Sequence, residues 1–205
     1  MSQPRTNLAS NEVFTHPLAI VESTDIGAGT RVWAFSHVMA GVHIGRDCNI
    51  GEQCFLEQGV TVGDSAVIKN GVAVWEGVEI GNSVFVGPNV AFTNDLVPRA
   101  KLYRACVKTN ILEGASIGAN ATIRCGIEIG RWALIGAGCV VVKDVPDFAI
   151  VVGNPGRVKG YVCKCGAKLK FNAENWADCA CGLRFRIRDG IVFVVSEAAK
   201  RGNEL

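Results

Sequence analysis

Four cysteines in two matching units, Cys163-Lys164-Cys165-Gly166 and Cys179-Ala180-Cys181-Gly182, are the plainest chemical signal in this chain. Four thiolates suit one tetrahedral zinc ion, and in so short a segment a metal can replace a missing hydrophobic core. No histidine or carboxylate joins the pattern, so the expected ion is structural. The spacing is one residue tighter than the common Cys-x-x-Cys knuckle. The stretch "RFRIRDGIVFVV" that follows reads as a hairpin turning at Asp189-Gly190. A second signal is Asn94-Asp95, which opens the segment "FTNDLVPRAKLYRACVKTN" at 92–110. A polar pair directly after an apolar Phe92, at the mouth of an excursion, sits where binding residues tend to be found. The competing reading is an Asx turn that starts a loop, and both are expected of Asn94.

These residues are carried on a six-residue beat. Steps of six from Ile20 give Ile26, Val32, Val38, Ile44, Ile50, Leu56, Val62, Ile68, Val74, Ile80, Val86 and Phe92. After the break the beat resumes through Ile111, Ile117, Ile123, Ile129, Ile135 and Val141. Four places after each marker comes a small or β-branched residue, among them Thr24, Thr30, Ser36, Cys48, Cys54, Ala115 and Cys139. A period of six fits neither a helix nor a long alternating strand, but it fits a parallel β-helix whose hexads are each a short strand and a bend. The markers are expected to point inward, and Cys48, Cys54 and Cys139 to be packing thiols. Glycine next to the marker (Gly27, Gly45, Gly51, Gly63) is expected to supply backbone angles closed to other residues.

Composition narrows the function classes. With 21 basic and 19 acidic side chains in 205 residues, and no run of like charge, nothing marks a nucleic-acid or membrane partner. No apolar run reaches about 18 residues, and "MSQPRTNLASNEVFT" lacks a secretory core, so the expected location is cytoplasmic and the nine cysteines are expected to be reduced. The expected organisation is a lead-in at 1–19, a repeat domain at 20–157 with a loop at 94–110, and a ribbon-like segment with its tail at 158–205.

The isoleucine-glycine hexads resemble the hexapeptide-repeat acyltransferases. That resemblance implies an all-β, left-handed parallel β-helix with three hexads per turn, assembled as a homotrimer with active sites between neighbouring coils. Four stretches are similar to the nucleotide-sugar 3-N-acetyltransferases: "HPLAIVESTDIGAGTRVWAFSHVMAG" (16–41), "GPNVAFTND" with "PR" (87–99), "GASIGANATI" (114–123) and "KDVPDFAIVVGNPGR" (143–157). Such enzymes pass an acetyl group from acetyl-CoA to the 3-amino group of a UDP- or dTDP-linked amino sugar used in bacterial surface polysaccharide. Within the family, "ND" after "FT" is more frequent in the enzymes for dTDP-linked sugars. Some carbonic anhydrases share the hexads, but their zinc needs histidines, and His16, His37 and His43 all lie far from the break. An acyltransferase for another acceptor, or a non-enzymatic scaffold, stays open as an alternative.

Eighteen residues per turn puts Asn94 over Glu76 and Gln58, and Thr93 over Trp75 and Glu57. This polar ladder with an indole beside it reads as a sugar-nucleotide groove, or else as a solvated row. By resemblance Asn94 and Asp95 hold the amino sugar, and the family's frequent histidine base would be His37. At strand spacing His37 lies on the order of 14 Å from Asn94 along the coil axis, too far to share a proton within one chain. The expected mechanism therefore positions the amine for direct attack. For acetyl-CoA, Gly118, Ala119, Gly136 and Ala137 leave backbone open to the pantetheine arm, and Lys143 and Arg157 can meet phosphates. The nineteen residues from Phe92 to Ile111 read as one circuit out and back to nearly the same face.

Overall fold

The computed structural model describes residues 12–102 and 104–197. Among them there is no helix; short strands climb in three parallel stacks. The first face runs from Phe14–Thr15 to Ala149–Val152, the second from Ile20–Val21 to Val140–Val141, and the third from Asp25–Ile26 to Glu128–Ile129. Vertical neighbours are eighteen residues apart over most of the coil, as in Asn49 beside Val67 and Phe55 beside Ala73. Each strand offers one marker inward. Ile44, Ile50, Leu56, Ile68, Ile117, Ile123, Ile129 and Ile135 are fully buried in a single column, each worth about 1.5–3 kcal/mol of apolar burial.

Two side chains in the small corner positions also bond to the next turn. Thr30 Oγ1 donates to the Gly45 carbonyl and accepts from Cys48 N–H, and Ser36 repeats the pattern with Gly51 and Cys54. Cys48 and Cys54 are buried thiols that donate to the carbonyls of Gly63 and Lys69, and burial raises their pKa values.

Several sequence expectations need correction. Ile20 is 59% exposed; Val21, its neighbour, stacks on Val38, so the first turn is one residue short and the beat locks in only from Ile26. Thr24 is exposed for the same reason, and the coil begins earlier than residue 20, since Phe14–Thr15 already pairs with Arg31–Val32. Residues 1–11 of the expected lead-in lie outside the described residues.

The glycines after the markers are not there for unusual angles. A Cβ on Gly63 would meet Asn82 N at 2.7 Å and Gly81 C at 2.9 Å, so these glycines allow the next turn's backbone to come close. Left-handed φ occurs instead three places after the marker, at Asp47, Gln53, Ser65, Ser83, Asn89 and Asn120 with φ of 55–59°, and at glycines such as Gly59 and Gly138.

The loop does not make a circuit. Phe92 ends a second-face strand, and Thr109–Ile111 pairs with Val78–Ile80 on the third face, the next one along. Ile80 and Ile111 are stacked although 31 residues separate them, against 18 between Val62 and Ile80 and in most other turns, so thirteen extra residues are inserted within one hexad step. Finally, the coil and ribbon share an element. Arg157–Val162 lies antiparallel on Ala149–Val152 and carries Lys168–Leu169 on its other edge, so the ribbon extends the first face.

A second sheet (Trp176–Asp178, Leu183–Arg188, Ile191–Glu197) then packs on the coil end. Phe185 is fully buried and meets Phe148 edge-on with ring centroids 5.4 Å apart, and the Tyr161 hydroxyl donates to the Gly190 carbonyl at 3.0 Å. Asp189 and Gly190 both have positive φ, the requirement of a two-residue hairpin turn. Residues 198–205 of the expected tail lie outside the described residues.

Candidate active site at the root of the loop

A cleft of about 650 Å³ opens where the loop leaves the coil. Glu57, Glu76, Asn94 and Asp95 form one side of it, and Pro98, Arg99, Leu102, Arg104 and Cys106 bring in the loop. The coil supplies the rigid wall: stacked turns put Glu57 and Glu76 next to Asn94, and Glu57 Oε2 accepts from Glu76 N–H at 2.9 Å. The loop closes on its own root, with Val107 N–H bonding to the Asn94 carbonyl at 3.3 Å. Thr93 Oγ1 accepts from Cys125 N–H at 2.9 Å, tying the exit to the turn beyond.

Asn94 and Asp95 divide the two roles expected of Asn94. The Asx turn belongs to Asp95, whose Oδ1 accepts from Val97 N–H at 2.8 Å. Asn94 instead turns its amide toward the Cys106 thiol, with Nδ2 to Sγ at 3.8 Å, and Cys106 lies 3.6 Å from Glu76 Oε2. Burial, and then the nearby Glu76 carboxylate, push the Cys106 thiol pKa up. Cys106, Arg99 and Arg104 were missed by sequence reasoning; Arg99 sits inside the "PR" of a family-like stretch, while nothing in the repeat points to Arg104 or Cys106.

Other candidates lie elsewhere. Trp75 does not line the cleft: its Nε1 donates to the Phe92 carbonyl at 3.0 Å and its ring packs 5.5 Å from Phe55, so it pins the backbone from which the loop departs. Gln58 is exposed outside the lining. His37 stands on the second face, its ring against Phe55 and its Nε2 3.4 Å from Glu22 Oε1, three pairing steps below Ala91.

The residues expected to meet acetyl-CoA fall into two places. Gly118 and Gly136 stack at the corner between the first and second faces, each followed by a small alanine, Ala119 and Ala137. A Cβ on Gly118 would meet Ala137 N at 2.5 Å, so coil geometry alone requires that glycine. The Gly153–Gly156 bend folds over this corner, its ends bonded to Val140, with Arg157 exposed beside it. Lys143 is exposed just past Val140–Val141, on the second face. Asn94 follows the second face, so the glycine corner is not above it in the same chain.

At the ribbon the four sulfurs come together. Cys163 and Cys181 are 3.4 Å apart, Cys165 and Cys179 3.5 Å, and all four Sγ lie within 4.8 Å of one another. A tetrahedron of thiolates around zinc has edges of about 3.8 Å, so the set fits such an ion. The two halves are built alike: Cys163 N–H bonds to the Ala167 carbonyl and Gly166 N–H to the Cys163 carbonyl, and Cys179, Leu183 and Gly182 repeat this. The backbone N–H of Ala167 leads the effects that lower the Cys165 thiol pKa to about 7, whereas burial pushes the Cys163 thiol up.

Comparison with known proteins agrees with this architecture. The bacterial transferase hexapeptide family (six repeats) matches residues 23–58 and 108–143, on either side of the loop, and the hexapeptide repeat of succinyl-transferase matches 41–76. A dTDP-3-amino-3,6-dideoxy-alpha-D-galactopyranose 3-N-acetyltransferase of Aneurinibacillus thermoaerophilus is 50% identical over 185 residues, covering 90% of this chain and 96% of that one. The chain belongs to the hexapeptide-repeat nucleotide-sugar 3-N-acetyltransferases. This acetyltransferase shares its repeats more widely: serine acetyltransferase 4 of Arabidopsis thaliana is 47% identical, but over only 26% of this chain and 15% of that one. Among solved structures, a hexapeptide-repeat acetyltransferase of Vibrio cholerae O1 biovar eltor, complexed with acetyl coenzyme A, superposes with a TM-score of 0.53. It is 26% identical, over 59% of this chain and 70% of that one. No helix among the described residues is long and apolar enough to cross a membrane.

Proposed function

We propose that this acetyltransferase moves the acetyl group of acetyl-CoA to the 3-amino group of a dTDP-linked 3-amino-3,6-dideoxyhexose. The observation that carries the sugar and nucleotide is the 50% identity, along almost the whole of both chains, to the Aneurinibacillus enzyme of that activity. The "FTND" stretch at 92–95 supports the same nucleotide. The acetylated sugar suits a bacterial surface polysaccharide, and a cytoplasmic location follows from the need for acetyl-CoA.

The chemistry needs an unprotonated amine held against a thioester carbonyl. The amine lone pair attacks the carbonyl carbon, the carbon–sulfur bond breaks, and the proton lost from nitrogen ends on the departing CoA sulfur. Alignment supplies a large part of such an acceleration. Asn94 and Asp95 on the rigid coil edge are the residues we assign to hold the sugar, with Glu57 and Glu76 behind them. His37, three steps away, is given no role as base in its own chain. Gly118, Ala119, Gly136 and Ala137 are assigned to the pantetheine arm, and Lys143 and Arg157 to its phosphates.

The glycine corner and the Asn94 cleft lie at different corners of one coil, so a neighbouring coil completes the site. A homotrimer supplies one. Its surface is available: the first face turns Val67, Phe85, Leu134 and Ile150 outward, whereas the third turns out Asp25, His43, Thr61 and Glu79. The four-cysteine cluster is assigned one structural zinc, held by Cys163, Cys165, Cys179 and Cys181, which would tie the two ribbon sheets over the coil end.

The test is CoA release from acetyl-CoA with a panel of dTDP- and UDP-linked 3- and 4-amino sugars. Turnover should be fastest with a dTDP-linked 3-amino sugar. Preference for a 4-amino sugar, or silence across the panel, would overturn the assignment.

A further inference from the structure

The cleft at the loop root is lined by five charged side chains, and the two signs are kept apart. Glu57 and Glu76 come from the coil and Asp95 from the loop's first residues, whereas Arg99 and Arg104 come from the loop itself. None of the ion pairs among the described residues joins these groups. The Arg99 guanidinium donates to the neighbouring Pro98 carbonyl, and Arg104 is exposed. Opposite charges that share a cleft usually neutralise each other. Here no carboxylate–guanidinium pair closes, an arrangement suited to a ligand that carries both signs.

Building on the proposed function, we infer that Arg99 and Arg104 bind the diphosphate of the nucleotide sugar while Glu57, Glu76 and Asp95 receive its 3-amino group, which docks as the ammonium and gives up one proton to solvent before it attacks. A guanidinium offers paired donors that match two phosphate oxygens, and the carboxylates accept from an ammonium. The amine and the diphosphate of such a sugar leave the same ring, from C3 and C1, so both can be met inside one cleft. The loop then reads the nucleotide end and the coil reads the amine. Selection for an amino sugar over its hydroxyl counterpart arises on the carboxylate wall, because a neutral hydroxyl would leave that wall uncompensated.

Two kinds of variant separate the walls, read with two ligands. dTDP carries the diphosphate but no amine. In the Arg99→Ala/Arg104→Ala variant, dTDP binding by calorimetry and the KM for the sugar nucleotide should both weaken about 10- to 100-fold, as expected for lost charged hydrogen bonds. The KM for acetyl-CoA should stay within about twofold, and Arg99→Lys/Arg104→Lys should recover part of the loss. In Glu57→Gln/Glu76→Gln the KM for the amino sugar nucleotide should rise while dTDP binding is unchanged. Thermal melts of each variant should match the parent, since the altered side chains line an open cleft. If dTDP binds the Arg99→Ala/Arg104→Ala variant as it binds the parent, or does not bind the parent, the inference is wrong, even where the parent turns over a nucleotide amino sugar. If the parent binds dTDP through these arginines yet acetylates none of the panel, the inference stands and the proposed reaction falls.

Discussion

Two glycines of the coil, Gly63 and Gly138, give a sharp test of why the repeat needs glycine. Gly63 follows the marker Val62, and a Cβ there would lie 2.7 Å from Asn82 N and 2.9 Å from Gly81 C, both backbone atoms of the next turn. An ordinary contact begins near 3.4 Å, so Gly63→Ala must push the turns apart by about 0.7 Å. The bond from Gly63 N–H to the Ile80 carbonyl, now 2.7 Å, would stretch to the edge of hydrogen bonding, and the Asp64 N–H bond to Asn82 Oδ1 at 2.8 Å lies in the same path. One or two weakened bonds at about 1 kcal/mol each, with about 1–2 kcal/mol from loosened packing, give about 3 kcal/mol.

Gly138 has φ +67°, and a Cβ placed there would have no neighbour within 4 Å, so Gly138→Ala carries only the left-handed penalty, about 1 kcal/mol. For a chain of this size each kcal/mol moves the melting temperature by roughly 2–4 °C. Thermal unfolding by circular dichroism, at matched protein concentration and scan rate, should therefore show a fall of about 6–12 °C for Gly63→Ala and about 2–4 °C for Gly138→Ala. Gly138→Asn should be close to the parent, because asparagine tolerates this region. Equal losses at the two sites, or a larger loss at Gly138, would refute the close-approach argument.

Asn94→Ala and Asp95→Ala should each lower kcat/KM about 100-fold or more with melting behaviour intact, as for lost positioning groups, whereas His37→Ala should retain most activity; steady-state CoA release decides, and loss in His37→Ala alone would defeat the positioning mechanism. Removal of metal by a strong chelator should release one zinc per chain to a colorimetric dye and expose Phe185 and Trp176 to quencher, with the coil's circular dichroism retained. Cys106 should alkylate slowly at neutral pH and faster as pH rises past the ordinary thiol range, since its raised pKa keeps it protonated longer. Bound nucleotide sugar should slow that reaction, measured by mass spectrometry on the 104–108 peptide.

The coil was legible because its signal is repeated: a marker at every sixth residue leaves little freedom in which way Ile44 or Ile117 can point. Where the repeat is defective the reading slipped. Ile20 keeps the count but not the geometry, since the turn that contains it is one residue short. Sequence also shows that glycine is required without showing why: Gly63 answers to a neighbouring backbone eighteen residues away, which no local pattern displays. Asn94 and Asp95 were visible as the place where the beat fails. Arg99, Arg104 and Cys106 were not, because their position depends on how the loop folds back onto Asn94. Trp75 looked like a stacking platform, but its polar end is already engaged by the Phe92 carbonyl, a contact that follows from rotamer and not from register.

The thirteen inserted residues begin and end on adjacent faces, and the strands on either side keep the pairing they would have had without them. Nothing in the buried column is therefore spaced by the loop. A change in its length need not shift the core side chains, and longer closures cost little extra chain entropy. If the loop reads the nucleotide end as inferred above, that part of recognition can change without disturbing the stack, whereas recognition of the amine by Glu57 and Glu76 stays tied to the turns that keep the chain folded.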